Sequence, residues 1–320
     1  MDIITKAKKF VRLSCGLRSK LPEDVSIEIT TRCNLMCPMC YRFHLGIVEK
    51  DMPFPVYTRI IAEMPAKLRR LSLTGLGESL LHPDFPRMLE HAKEGLPWTK
   101  VDIATNAMSL DRSLRKLLID SGIWMLTFSV EGIGEYADGI THPVRETAVE
   151  NFRAFAEANV KAGKPVRTRL QTVMVNDSQL RTIVDFARST SVDVINFARM
   201  DVPAGAGIAR KPEGEIRRLY TMARRMCRRA GISYFCINDQ NIFLRIATRY
   251  DRGCVLYDNY AYIDVDGNVL PCCFMRDCSF GNIKAESLPV IWRAEKHRTF
   301  SPQRTAACQS CDIYKFHYNH

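Results

Sequence analysis

The sequence predicts an α/β protein built as an open, partial (βα)6 barrel, followed by a small cysteine-bearing unit of β-hairpin and helix. Three observations carry this expectation. Strand-like and helix-like segments alternate from Val25 to about Ile237, which implies parallel strands joined by right-handed crossovers. The alternation repeats six times, too few to close an eightfold barrel. Beyond Cys236 it gives way to a hairpin signal flanked by cysteines. The chain therefore divides into residues 1–24, a barrel over 25–237 and a terminal unit over 238–320.

Residues 1–24 are basic, and Ile3, Ile4, Ala7, Phe10 and Val11 recur at helical spacing. A helix packed on the barrel is expected, with a membrane-surface anchor as the other reading. No continuous apolar stretch or small-residue cleavage site marks an export signal. Strands are expected at Ser26–Thr30, Arg70–Thr74, Lys100–Thr105, Met125–Val130, Arg167–Val173 and Val194–Phe197. Helices are expected between them at Phe85–Lys93, Leu110–Ser121, Thr147–Ala162 and Ser178–Ser189. Pro203-Ala204-Gly205-Ala206-Gly207 reads as a flexible loop after the sixth strand. Glu213–Ala230 reads as an amphipathic helix with Ile216, Leu219, Tyr220 and Ala223 inward. Tyr260–Leu270 reads as a hairpin turning at an Asp-Gly pair, and Leu288–Arg298 as a late helix.

Hydrophobic content of 46% with 25% charged residues describes a globular protein with a substantial core, and no apolar run approaches a membrane span. The net charge of +11 invites a nucleic-acid reading. Arg224, Arg225, Arg228 and Arg229, however, fall on the outer face of the 213–230 helix, where a solvated surface accounts for them. Neither a nucleic acid nor a membrane is expected as partner. Twelve cysteines without an export signal, grouped at ligand spacing, point to a reducing cytoplasm and to metal sites.

The decisive group is Arg32-Cys33-Asn34-Leu35-Met36-Cys37-Pro38-Met39-Cys40-Tyr41, straight after the first strand. Three thiolates at C-x3-C-x2-C can hold three irons of a 4Fe–4S cubane. No fourth cysteine follows nearby, so one iron stays open, and open coordination marks chemistry. A zinc knuckle, or three unrelated core cysteines, is the competing reading. After the second strand, Gly75 and Gly77 let backbone approach a ligand closely, and Glu78 can accept from an ammonium. Arg167, Arg169 and Gln171 share one face of the fifth strand. Pointing inward they suit carboxylate recognition; pointing outward they are only solvated.

The C-x3-C-x2-C spacing and its position resemble the radical S-adenosylmethionine (SAM) enzymes. The resemblance implies that SAM chelates the open iron through its amino and carboxylate groups. It implies that one electron then yields a 5′-deoxyadenosyl radical, which takes a hydrogen atom from substrate. An electron donor such as flavodoxin or ferredoxin is implied with it. The Thr74–Asp84 stretch is similar to the family's Gly-Gly-Glu element, with Leu76 in place of the first glycine and Ser79 in place of proline. Asn106 and Ser129 then stand at strand ends that meet the methionine or ribose, Ser129 being the ribose contact. Met39, with Tyr41 beside it, stands where the family packs an aromatic residue on the adenine.

Cys254 and Cys272 flank the hairpin, and Cys308-Gln309-Ser310-Cys311 follows the late helix. Four such ligands suit one centre, a structural zinc ribbon or an iron–sulfur cluster. The stretch with Gly267–Cys273, Gly281-Asn282-Ile283 and the final cysteine pair resembles the SPASM domain. No cysteine follows Cys311, so the resemblance implies the shortened "twitch" form with one auxiliary 4Fe–4S cluster on Cys254, Cys272, Cys308 and Cys311. Cys273 is the alternative to Cys272. Cys236 and Cys278 are candidate hydrogen-atom donors, with buried inert thiols as the other reading. The resemblance to such shortened enzymes implies oxidation or epimerisation of a small polar substrate of the aminocyclitol or aminosugar kind. Peptide maturation is the alternative, although residues 1–24 are too few for a leader-binding module.

Overall fold

The structure, a computed structural model, describes residues 20–133, 145–173, 176–202, 206–236, 259–309 and 311. Most of the 1–24 segment, the 237/238 boundary, Cys254, and part of the loop after the sixth strand lie outside the described residues, as does the side chain of Cys236.

Seven strands run parallel in chain order: β1 (Asp24–Ile27), β2 (Arg70–Ser72), β3 (Lys100–Thr105), β4 (Met125–Ser129), β5 (Arg167–Val173), β6 (Val194–Ala198) and β7 (Ser233–Cys236). The six expected strands are thus joined by β7, which registers Ser233 against Val194. On the other side, β8 (Tyr260–Ile263) lies parallel to β1 with Tyr260 opposite Asp24. Hairpin partners β9 (Asn268–Leu270) and β10 (Gly281–Asn282) follow antiparallel. One ten-stranded sheet of order β10-β9-β8-β1-β2-β3-β4-β5-β6-β7 therefore runs through barrel and C-terminal unit, open at both edges among the described residues.

The helices are α1 (Tyr41–His44), α2 (Phe54–Ala62), α3 (Phe85–Gly95), α4 (Arg112–Asp120), α5 (Glu146–Lys161), α6 (Asp177–Ser189), α7 (Glu213–Ala230), α8 (Leu288–Arg293), α9 (Glu295–Thr299) and α10 (Ala306–Gln309). Capping fixes several starts. Asn176 and Gln179 form a reciprocal capping box on α6, and Asp111 accepts the Leu114 amide on α4 at 2.8 Å. α7 buries Ile216, Leu219, Tyr220, Ala223 and Cys227, leaving Arg225, Arg228 and Arg229 to solvent.

Side-chain alternation sorts the two faces of the sheet. Phe128 of β4 stacks on Phe152 of α5 at 4.7 Å between centroids and meets Phe186 of α6 edge-on, so this face belongs to the helix layer. Thr127 and Ser129 consequently face the concave side. There Arg70 pairs through two nitrogens with buried Asp102, Ser72 donates to the same carboxylate at 3.1 Å, and Arg169 Nε donates to Thr127 Oγ1 at 2.9 Å. These groups make a polar barrel floor.

The hairpin turn forms as its sequence requires. Gly267 takes φ +84°, and the Asp264 carboxylate accepts the Asp266 and Asn268 amides at 2.9 Å each. The expected 288–298 helix is broken at Ala294, whose ψ of 149° is extended. The break turns His297 into the core, 4.1 Å from the Trp292 ring and edge-on to Phe280.

Candidate active site

At the carboxyl ends of the strands lies a cavity of about 370 Å³, the expected ligand position in such sheets. Cys33, Cys37, Met39, Cys40 and Tyr41 reach it from the loop after β1, and Gly75, Leu76, Gly77 and Glu78 from the loop after β2. Asn106, Ser129, Glu131, Gln171, Arg199, Asp201 and Phe274 complete the wall.

The cysteine loop is held by its own neighbours. Buried Arg42, two residues past Cys40, donates to the Thr31 and Leu35 carbonyls at 3.3 Å each and pairs with Glu49 at 2.6 Å. His44 Nε2 lies 2.8 Å from the Pro38 carbonyl oxygen. Asn106 Nδ2 donates to Asn34 Oδ1 at 2.9 Å and lies 3.8 Å from Cys33 Sγ. Burial pushes the Cys33 thiol up, and burial with the neighbouring Cys40 and Cys33 pushes the Cys37 thiol up to about 12. Cys33, Cys37 and Cys40 line one cavity, and three cysteines in one cavity fit a cluster with one iron left open.

The second loop is shaped by close backbone approach. A Cβ on Gly77 would come within 2.7 Å of the Arg32 carbonyl oxygen, and one on Gly75 within 2.7 Å of Glu28 Oε1. Only glycine fits either place. Glu78 is buried, and its carboxylate caps the local turn, accepting the Leu80 amide at 3.3 Å and the Asn106 amide at 2.8 Å. Burial raises its pKa in spite of these bonds. A carboxylate has about four acceptor sites, so capacity for an ammonium remains.

Farther along the cavity, buried Glu131 accepts the Val173 amide at 2.7 Å, Gln171 accepts from Asn196 at 3.2 Å, and Arg199 pairs with Glu213 at 2.5 Å. The Tyr41 and Phe274 rings lie 4.1 Å apart, joining the cysteine loop to the segment after β9.

Near that segment the late cysteines gather. Cys272 feels the charge of Cys311, and Cys308 that of Cys272, Cys311 and Cys278; burial and these neighbours push Cys272 up to about 11 and Cys308 up to about 12. The Cys308 thiol lies 3.5 Å from the Met275 sulfur. Cys273 instead sits by Arg276, Glu28 and Asp201.

The family model of the radical SAM superfamily matches residues 27–188, just over half of the chain. The chain belongs to the radical SAM superfamily. A second model, SPASM, an iron–sulfur cluster-binding domain, matches residues 254–312. SAM, a 4Fe–4S cluster and auxiliary iron–sulfur binding come with these two domains. A tungsten-containing aldehyde ferredoxin oxidoreductase cofactor-modifying protein of Pyrococcus furiosus is 24% identical over 309 residues, covering 86% of this chain and 82% of its own length. SuiB of Streptococcus suis bound to SAM superposes with a TM-score of 0.73 at 21% identity, over 98% of this chain and 76% of that one. Bound to its precursor peptide SuiA, it gives 0.72 at 18% identity, over 98% and 74%.

Cys33, Cys37, Met39, Cys40, Tyr41, Gly75, Gly77, Glu78, Asn106, Ser129 and Gln171 line the cavity as expected, whereas Arg167, exposed and over the Trp124 ring, and Arg169 do not. Arg169 does point to the concave side, but too deep: it belongs to the polar floor with Thr127, where burial and the charge of Arg70 lower its pKa to about 10. Cys278 is placed away from the cavity, against the hydrophobic core and beside Cys308. Glu131, Arg199, Asp201 and Phe274 were not singled out from the sequence. The first three directly follow strands, and the rule that ligands gather at strand ends would have found them. Phe274 carries no such signal.

Proposed function

We propose that the cavity at the barrel mouth holds SAM beside a three-cysteine 4Fe–4S cluster, and that the enzyme removes a hydrogen atom from a small, amine-bearing polyol of the aminocyclitol or aminosugar kind. The observation that carries this reading is the convergence of Cys33, Cys37 and Cys40 with Gly75, Gly77 and Glu78 on one cavity. Cys33, Cys37 and Cys40 would hold the cluster. Glu78 and the two glycines would seat the methionyl end, Asn106 and Ser129 the polar groups beyond it, and Met39 and Tyr41 the adenine. When bound, cluster and cofactor supply a single electron and hydrogen-atom abstraction.

The chain's own groups supply position and exclusion of water. Gly75 and Gly77 admit backbone where side chains would block it, and Asn106 ties the cysteine loop to the Glu78 loop. Glu131 and Asp201 with Arg199 and Gln171 offer carboxylates, a cation and an amide, a set that suits amino and hydroxyl groups on one substrate. Cys272, Cys308 and Cys311, with Cys254 from outside the described residues, would hold the auxiliary cluster, and a flavodoxin- or ferredoxin-like protein would deliver the electron. Net oxidation or epimerisation at a carbon–hydrogen bond follows.

Anaerobic reconstitution tests this. About eight irons per chain are expected from two cubanes, and 5′-deoxyadenosine should form under reduction. Deuterium from the correct aminocyclitol should enter it. Zinc in place of iron, or no 5′-deoxyadenosine, would overturn the reading. A peptide substrate is the second reading, favoured by the SuiB–SuiA likeness over 98% of this chain; label arriving from deuterated peptides and not from sugars would select it.

A further inference from the structure

Glu28 stands one residue past β1 and is completely buried. Arg276 grips its carboxylate with two parallel bonds, Nη1 to Oε2 at 2.6 Å and Nη2 to Oε1 at 2.7 Å. The Tyr262 hydroxyl donates to Oε1 at 2.8 Å, and the Leu76 amide donates to the same oxygen at 2.9 Å. Arg276 also donates through Nε to the Cys273 carbonyl at 3.1 Å, and its guanidinium lies over the Tyr262 ring. Its side chain is only 15% exposed. Arg276, four residues past Cys272, thus reaches across to Glu28, which in turn meets the loop between β2 and Glu78. The carboxylate it holds is the surface on which that loop rests, since a Cβ on Gly75 would collide with Glu28.

A buried ion pair is a weak device for stability, because apolar residues of the same volume commonly serve as well or better. Its distinguishing property is direction. A guanidinium fork fixes a carboxylate in plane and register, and a lysine cannot. Here the register is passed on to one backbone N–H, that of Leu76, in the middle of Gly75-Leu76-Gly77.

We infer that Arg276 is a positioning residue for the SAM-seating loop, supplied by the C-terminal iron–sulfur domain: it orients Glu28, and Glu28 orients the Gly75–Gly77 backbone. This rests on the assignment of that loop as the methionyl seat. Seating of the cofactor in the barrel then depends on the domain appended to it.

The test uses the full chain reconstituted with iron and sulfide. SAM affinity is read by anaerobic equilibrium dialysis, and amide exchange of Leu76 by mass spectrometry on the same samples without SAM. Arg276→Lys should raise the SAM dissociation constant about tenfold and speed Leu76 exchange at least as much. Because single substitutions leave a buried charge unpaired, the neutral pair Glu28→Gln with Arg276→Met is measured alongside. It should regain the melting temperature and not the affinity. Gly77→Ala separates the two assignments. Wild-type affinity in Gly77→Ala overturns the seat and the positioning role with it. Loss in Gly77→Ala with wild-type affinity and exchange in Arg276→Lys overturns the positioning role alone, as does full recovery of affinity in the neutral pair.

Discussion

Replacing Gly77 by alanine adds one methyl group where only backbone surrounds it. The new Cβ would lie 2.7 Å from the Arg32 carbonyl oxygen and 2.8 Å from the Thr31 carbonyl carbon, with the Thr30 carbonyl oxygen closer still. Ordinary contact begins near 3.4 Å, so a gap of 3.4 − 2.7 = 0.7 Å must open against Arg32, and more against Thr30. Those carbonyls cannot simply yield. The Thr31 amide is bonded to the Lys50 carbonyl at 2.9 Å, Arg42 donates to the Thr31 carbonyl at 3.3 Å, and the Glu78 amide is bonded to the Arg32 carbonyl at 2.7 Å. Overpacking of this kind costs about 1–3 kcal/mol, and loss of the Glu78 amide bond adds roughly 1 kcal/mol. If half of that falls on the bound state, SAM affinity drops about tenfold. Equilibrium dialysis and thermal melting read both quantities. Gly214→Ala is the control, because nothing lies within 4 Å of its added Cβ. Wild-type affinity and melting in Gly77→Ala would refute the reasoning that the loop is set by backbone contact.

Cys37→Ala should cut iron from about eight to about four per chain and abolish 5′-deoxyadenosine, as metal analysis and chromatography will show. Asp102→Asn leaves Arg70 and Arg169 together on the barrel floor without the carboxylate that neutralises them; a loss of about 3–5 kcal/mol is expected in urea unfolding. Asp193 is held below the usual carboxylate range: burial opposes its charge, but bonds from the Thr168 amide and hydroxyl and from Lys164 outweigh it. A lowered folded pKa contributes stability that is present above about pH 4 and lost as pH falls through the folded value. Acid unfolding should therefore be shallower in Asp193→Asn than in the wild type.

The barrel was legible wherever one local pattern decided the outcome. Lys100–Thr105 and Arg167–Val173 were bounded correctly, and Glu213–Ala230 from the helical spacing of its apolar face. The first strand was expected at Ser26–Thr30 but ladders over Asp24–Ile27. Its apolar alternation runs on because Ile29 is buried in the core beyond the last ladder bond. The break at Ala294 has no glycine or proline to announce it; burial of His297 against Trp292 decides it. That the cysteines and the Gly75–Glu78 loop would meet was readable because both directly follow neighbouring parallel strands. Phe274, Glu28 and Arg276 were not, since each matters through a partner far away in sequence.

The parallel pairing of β8 with β1 sets a timetable for the newborn polypeptide. A ribosome delivers the first strand long before Ile263, and until then one margin of the half-built barrel presents bare amide and carbonyl groups to any passing chain. Closing that margin is a slow, long-distance event. Iron delivered to Cys33, Cys37 and Cys40 before Ile263 has emerged would meet a barrel still open on that side.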